Sequence, residues 1–217
     1  MDDTLADPPA VPVIYNMGED PLNPFANVLS PAMDNQLLEE YEVLRSGERL
    51  NLRYWDDPVL STVCNKVTKE EFGGNLDEFS RLLLSTMKHH SNGLGLAASQ
   101  VGLTKRMFAM RFPSAEDLTP VVLINPVITK KEGREVGQEG CLSIPTIYDQ
   151  VERAAFVRVE FQWQNGEEGV YDLEGLEARI VQHEIDHLDG IMFFQRVSKQ
   201  LRKHILRQWE KIRSKYE

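Results

Sequence analysis

Two histidines four residues apart, with a glutamate between them, constrain this chain more than any other feature. His183-Glu184-Ile185-Asp186-His187 places both imidazoles on one face of a helix, one turn apart. Rings so placed close on a single metal ion, at about 2.0–2.1 Å for zinc. Glu184 stands beside the first ligand, where it moves protons for a water bound to that metal. Leu176, Ile180, His183, His187 and Ile191 follow near-helical spacing, which turns the histidines toward the core. The bland alternative is a pair of core histidines satisfied by hydrogen bonds. Burying both without a metal, however, leaves polar nitrogens that need partners.

A catalytic metal site commonly has three protein ligands and one open position. The best-known continuation of the motif ends in a third histidine. Here Gly190 is in place, but the final position is Phe193, which cannot ligate. The third ligand comes from elsewhere. The chain has two cysteines, and one of them, Cys141, lies in Glu139-Gly140-Cys141-Leu142-Ser143.

Three stretches, in order, resemble the signature motifs of the peptide deformylase family. They are Gly93-Leu94-Gly95-Leu96-Ala97-Ala98-Ser99-Gln100, Glu139-Gly140-Cys141-Leu142-Ser143, and Gln182-His183-Glu184-Ile185-Asp186-His187-Leu188. The likeness runs from about Leu52 to about Val197. It implies removal of the N-terminal formyl group from formyl-methionine of newly synthesised polypeptides, releasing formate. It also implies one divalent metal ion held by Cys141, His183 and His187. Fe²⁺ is the expected ion, with Zn²⁺, Ni²⁺ or Co²⁺ as substitutes; thiolate and imidazole donors suit Zn²⁺ and Fe²⁺ alike.

By the same resemblance, Glu184 is the general base that later protonates the leaving amine. The Gln100 amide and the Leu142 backbone N–H stabilise the oxyanion. An extended formyl-methionyl peptide lies along Leu94, Gly95 and Gly140. Its methionine enters a pocket near Leu94, Leu176, the Arg179 stem, Ile180 and His183. Tyr148 and Arg153 occupy rim and structural positions. Gly137 stands where some members carry a larger apolar residue, which implies a wider mouth. Asp186 receives no catalytic role.

Two other readings compete. A metallopeptidase would use the same His-Glu-x-x-His helix, but Phe193 and the thiolate count against it. A non-enzymatic metal or peptide-binding relative would be expected to have lost one of Gln100, Glu184 or the ligands, and all are present. Gly93 and Gly95 alone suggest phosphate binding only weakly, and no P-loop lysine-serine pattern follows.

Charge divides the chain into three parts. Residues 1–48 hold ten acids and one base, Arg45. This acidic extension carries five prolines within residues 1–29 and one short amphipathic helix, starting at Ser30-Pro31 and ending at Ser46-Gly47. Residues 49–198 form the catalytic domain. Residues 199–217 hold seven bases and two acids on a helix patterned by Leu201, Ile205, Trp209, Ile212 and Tyr216. That helix is a solvated face or a contact for ribosomal RNA, which would be salt-sensitive. A net charge of −10 argues against DNA binding by the whole protein, and no apolar run reaches membrane-spanning length. Residues 1–29 lack the apolar core of a secretory signal and the basic, acid-poor character of a transit peptide. With Cys141 as a metal thiolate and Cys64 packed as a small apolar residue, a reducing, cytoplasmic setting is expected.

Between the motifs the pattern predicts an α+β fold of mostly antiparallel strands around a central metal-binding helix. Asn75 reads as an N-cap with Glu78 completing a capping box, opening a helix with Leu76, Phe79, Leu83 and Met87 on its core face. His89 and His90 end it as surface cations. Strands are expected at Arg106–Phe112 and Val121–Ile128, with a break at Asn125-Pro126. Phe156–Trp163 alternates cleanly, Asn165-Gly166 turns the chain, and Val170–Leu173 returns. The metal helix starts near Glu174.

Overall fold

Met107-Phe108-Ala109-Met110 carries no polar alternation because its strand is covered on both faces. The computed structural model describes residues 45–46, 49–114 and 119–216. A short hairpin, β1 (Arg45–Ser46) and β2 (Arg49–Leu50), leads to helix α1 (Asn75–His89), then β3 (Gly95–Ala97), β4 (Met107–Met110) and β5 (Val121–Glu132). A second hairpin follows, β6 (Glu135–Cys141) and β7 (Ile144–Arg153). The chain then forms β8 (Phe156–Gln162), β9 (Glu168–Glu174), helix α2 (Gly175–Leu188) and helix α3 (Lys199–Glu210). The main sheet runs β3-β4-β5-β8-β9, all neighbours antiparallel. The expected α+β class holds.

The two-residue period of β4 serves two helices. Met107 and Ala109 join Leu96, Val122 and Ile124 against the Leu76, Phe79, Leu83 and Met87 stripe of α1. Phe108 and Met110 point the other way. With Leu123, Val157, Val159 and Phe161 they pack on Ala178, Ile180, Val181 and Leu188 of α2. The metal helix is thus held against the centre of the sheet. A third cluster joins Ile144, Ile147 and Val151 of the second hairpin to Phe193, Phe194, and Ile205 and Trp209 of α3.

Gly190 ends α2 with φ of 70°. A Cβ there would stand 2.7 Å from the Ser61 carbonyl oxygen, so the helix end can approach the Pro58–Ser61 turn only with glycine. The Cys64 N–H donates to Leu188 O at 2.8 Å, tying this end to the preceding loop. Cys64 is buried in the α2-side core as expected, and burial pushes its thiol up to about 11.

Several expectations shift. Asn75 is the first helical residue rather than the cap; Gly74 precedes it with φ of 49°, and Glu78 pairs with Arg81 instead. Arg45–Ser46 pairs with Arg49–Leu50 as a strand, not a helix end; the rest of the expected amphipathic helix lies outside the described residues. The strand expected at Arg106–Phe112 is shorter, and β5 runs on to Glu132, because its last residues leave the core and are exposed, which tolerates Lys130, Lys131 and Glu132. The C-terminal helix stops at Glu210, followed by a 3-10 turn at Arg213–Lys215. Leu176, placed on the core-facing stripe, is 44% exposed, since the first turn of α2 rises above the sheet at its rim. The β6–β7 hairpin was not expected.

The Asn125-Pro126 break is a register shift between Ile124 and Val127. Asn125 adopts φ of 52°. Its Oδ1 accepts from the Val67 N–H at 2.8 Å, and its Nδ2 donates to Val67 O at 2.8 Å and to Gln162 Oε1 at 2.7 Å. Asn125→Ala loses these bonds and places a Cβ residue in the left-handed region without local compensation. A loss of about 2–4 kcal/mol is expected. It would be read as a lower urea midpoint with an unchanged slope; an unchanged midpoint would show that the bulge is not held by this side chain.

Candidate metal centre

Cys141 is the last residue of β6, where the ladder slips. Gly140 pairs with Tyr148, but Cys141 pairs with Ile144, so the bulge re-aims the thiol out of strand register. His183 and His187 lie one turn apart on the buried side of α2, His187 being 1% exposed. The ligand atoms of Cys141, His183 and His187 all fall within 4.8 Å of one another. Cys141 Sγ stands 3.2 Å from His187 Nε2. The Ser99 hydroxyl donates to His187 O at 3.3 Å, tying the end of the glycine motif to the same turn of α2.

The donor set fits a divalent cation. The His183 ring shares its Nδ1 proton with Glu139 Oε2 at 3.0 Å, which leaves Nε2 free as a donor. Burial works against charging His183, but Cys141 and Glu139 outweigh it, and the ring is held well above its usual range. Burial and the neighbouring His183 push His187 well below it. Cys141 and the buried Glu139 carboxylate thus favour positive charge at His183, charge that a divalent cation held by the three donors would supply in place of the ring's second proton.

Gln100 and Glu184 flank that point. The Gln100 Oε1 accepts from the Ala97 N–H at 2.8 Å, so the amide nitrogen must face the other way. It donates to Cys141 Sγ at 3.3 Å and Ser143 Oγ at 3.2 Å. The preceding loop sets this geometry: the Arg53 N–H donates to Gln100 O and the Trp55 N–H to Ser143 O, both at 2.7 Å. Glu184 is 4% exposed and its Oε2 has no partner among the described residues. Burial pushes its carboxyl up to about 7. That is a carboxyl able to accept and return a proton near neutral pH.

The residues expected around a bound peptide differ in burial and in partners. Leu94 leads into β3, and Gly95 pairs with Met110. Ile180 is buried, Leu142 partly buried, and Tyr148 stands 53% exposed. The Tyr148 ring lies over Gly140 so closely that a Cβ there would collide with it. The head of Arg179, whose stem is expected at the pocket, is committed elsewhere. Its guanidinium donates to Glu139 Oε1 and Val151 O at 2.8 Å, and to Glu135 O at 2.9 Å. A Cβ on Gly137 would stand 2.9 Å from that group, so Arg179 fills the space that was expected to widen the mouth.

A Cβ on Gly95 would collide with the Glu184 carboxylate. Gly95→Ala is expected to leave the fold intact, because β3 tolerates alanine, and to displace Glu184. We expect at least a ten-fold loss of turnover, in line with the contribution of a positioned acid–base group, about 10²–10⁴-fold. Steady-state kinetics with metal content as a control would test it; undiminished turnover would show that the Glu184 position is not critical.

The sequence reading missed a buried ion network under the ligands. Arg153 grips Glu139 with Nε and Nη2 at 2.8 and 2.9 Å, and Asp186 with Nη1 at 2.5 Å. Asp186, given no catalytic role, is buried and also held by Arg196. A signal was present: Arg153 is in strand phase with the buried Ile147 and Val151, and an inward charge requires partners. Phe193, in the position of a third histidine, stacks its ring on His183 with centroids 6.2 Å apart.

The comparisons with known proteins identify the family. The family described as Polypeptide deformylase matches residues 50–203. A peptide deformylase of Thermus thermophilus is 43% identical over 168 residues, covering 71% of this chain and 85% of that one. The crystal structure of a peptide deformylase from Legionella pneumophila superposes with a TM-score of 0.70 at 31% identity, covering 76% of this chain and 95% of that one. A peptide deformylase from Synechococcus elongatus, solved in complex with actinonin, gives a TM-score of 0.69 at 37% identity, covering 76% and 89%. With its three motifs converging on one cysteine and two histidines, the chain belongs to the polypeptide deformylase family.

Proposed function

We propose that this protein hydrolyses the N-terminal formyl group of formyl-methionyl nascent polypeptides, using one divalent ion held by Cys141, His183 and His187. The observation that carries the reading is the buried Glu184 carboxylate beside that ligand set, with Oε2 unpartnered among the described residues. An ion held by these three residues would supply Lewis acidity toward the formyl oxygen and the attacking water. Glu184 takes the water proton and delivers it to the departing amine, so water and formamide become formate and a free amino terminus. The Gln100 amide and the Leu142 N–H donate to the oxygen that gains charge. The peptide backbone runs along Leu94-Gly95 and Gly140, with the methionine side chain bounded by Leu94, Leu176 and Ile180 and Tyr148 at the rim.

Fe²⁺ is the ion this reading assigns, on family resemblance. Residues 49–198 carry the catalysis, between the acidic extension of residues 1–48 and the basic segment of residues 199–217. The exposed Lys199, Lys203 and Arg207 on α3, with Lys211 just beyond its end, supply phosphate-binding charge for a ribosomal contact. A formylated nascent-chain substrate supports a cytoplasmic location, with an organellar one as the alternative. No helix among the described residues is long and apolar enough to cross a membrane. Against a metallopeptidase stands Phe193, buried in a core cluster where that class carries its third histidine.

The test is anaerobic turnover of formyl-Met-Ala-Ser with Fe²⁺-, Ni²⁺- and Zn²⁺-loaded protein. Formate should appear in step with free amine, cease on chelation and return with metal, while unformylated Met-Ala-Ser stays uncut. No formate with any metal, or cleavage of the unformylated peptide, would overturn the reading.

A further inference from the structure

Arg196 lies outside every motif above and its side chain is 43% exposed, yet an unbroken line of hydrogen bonds joins it to a metal ligand. Its Nε donates to Asp186 Oδ2 at 2.9 Å and its Nη2 to Asp186 Oδ1 at 2.5 Å. Asp186 Oδ2 also accepts from Arg153 Nη1 at 2.5 Å. Arg153 presents its other two donors to both oxygens of Glu139, and Glu139 Oε2 holds His183 Nδ1 at 3.0 Å. Charges alternate from Arg196 to Glu139, and the four members beyond Arg196 are buried.

We propose that Arg196 is a positioning residue for the metal ligand His183, acting through Asp186, Arg153 and Glu139. The inference rests on the ligand assignment made above. Arg153 serves two carboxylates with one rigid guanidinium. Arg196 shares the load at Asp186, which lets Arg153 sit squarely on Glu139. Without Arg196, Asp186 has a single cation and draws Arg153 toward itself. The two-pronged grip on Glu139 loosens, and the carboxylate that orients the His183 ring shifts with it. Partners of this kind that orient metal-bound histidines change metal affinity by about 10–100-fold when removed.

The backbone supports the same role. The Arg196 N–H donates to Phe193 O at 2.9 Å, and the Met192 N–H to Gln195 Oε1 at 2.6 Å. This fixes a tight turn whose first residue, Phe193, stacks on the His183 ring. The turn after α2 therefore meets the ligand twice, by ring packing and through the charge line. The second hairpin contributes Glu139 and Arg153, so one exposed arginine closes a circuit through three elements.

The experiment compares full-length wild type, Arg196→Met and Arg196→Lys, each loaded with Co²⁺. Visible absorption reports the ligand field, and competition with excess chelator reports the rate of metal loss. Arg196→Met is expected to release Co²⁺ about ten-fold faster, the low end for such partners, with an altered visible band and a fall in kcat at unchanged KM. Arg196→Lys retains the charge without the two-pronged geometry and should fall between. Arg158→Met removes a two-pronged pair with Asp172 that is far from the ligands on β8 and β9, and should match wild type. A folded Arg196→Met with wild-type band and release rate would overturn the proposal. Should Arg196→Met fail to fold, Arg196→Lys decides it by the same two readings. Absence of formate release by wild type would sink the deformylase assignment while leaving the Co²⁺ result intact.

Discussion

Glu184→Gln is expected to lower kcat/KM by about 10²–10⁴-fold while metal content and peptide affinity stay close to wild type. The amide keeps the shape and removes the ability to take a proton. The Glu184 Oε2 has no partner among the described residues, and glutamine keeps one carbonyl oxygen to accept from a neighbouring N–H. Burial is what makes the residue effective. It pushes the carboxyl up to about 7, so that accepting a proton from water and returning it to an amine are both nearly balanced near neutral pH. A cation at the neighbouring ligands pulls the other way and favours the ionised form needed first. Metal analysis, peptide binding and formate release on one preparation would separate the roles. Loss of metal together with activity would assign Glu184 to the ligand shell. Activity within a few-fold of wild type would remove it from the chemistry.

The chemistry was more legible than the fold. The helical period places His183 and His187 on one face whatever packs around them, and alternation marks Phe156–Gln162 as a half-covered strand. The Asn125-Pro126 break was legible because proline has no N–H for the ladder. The β6–β7 hairpin was not, because Gly137, Gly140 and exposed polar residues dilute its alternation, and its twist toward the metal comes from a bulge at Gly140/Cys141 that local propensity does not encode. Asn75 was misplaced by one residue because the turn depends on positive φ at Gly73 and Gly74, not on a side-chain cap. The buried network was hidden for another reason. Arg153, Arg179 and Asp186 are ordinary surface residue types, and only tertiary placement shows that each compensates another.

Arg153→Met is expected to be the most destabilising single change in the site, by about 3–5 kcal/mol, since removing one partner strands buried opposite charge. Glu139 would keep Arg179 and His183, and Asp186 would keep Arg196, which sets the lower end of that range. The pH dependence tests whether charge is the cause. Burial alone would raise the Glu139 carboxyl, but hydrogen bonds from Arg153 and His183, and their charges, outweigh it and hold it well below the usual carboxylate range. A lowered folded pKa contributes stability that is fully present above the unfolded value, about 4.3, and fades as pH falls through and below it. A metal ion at His183 acts in the same direction. Urea melts of wild type and Arg153→Met should therefore differ most at pH 7 and converge in acid, because wild type loses there what the variant already lacks. A gap of equal size at both pH values would assign the loss to packing of the arginine stem. It would also take away the electrostatic reason for Glu139 to hold the His183 ring in place.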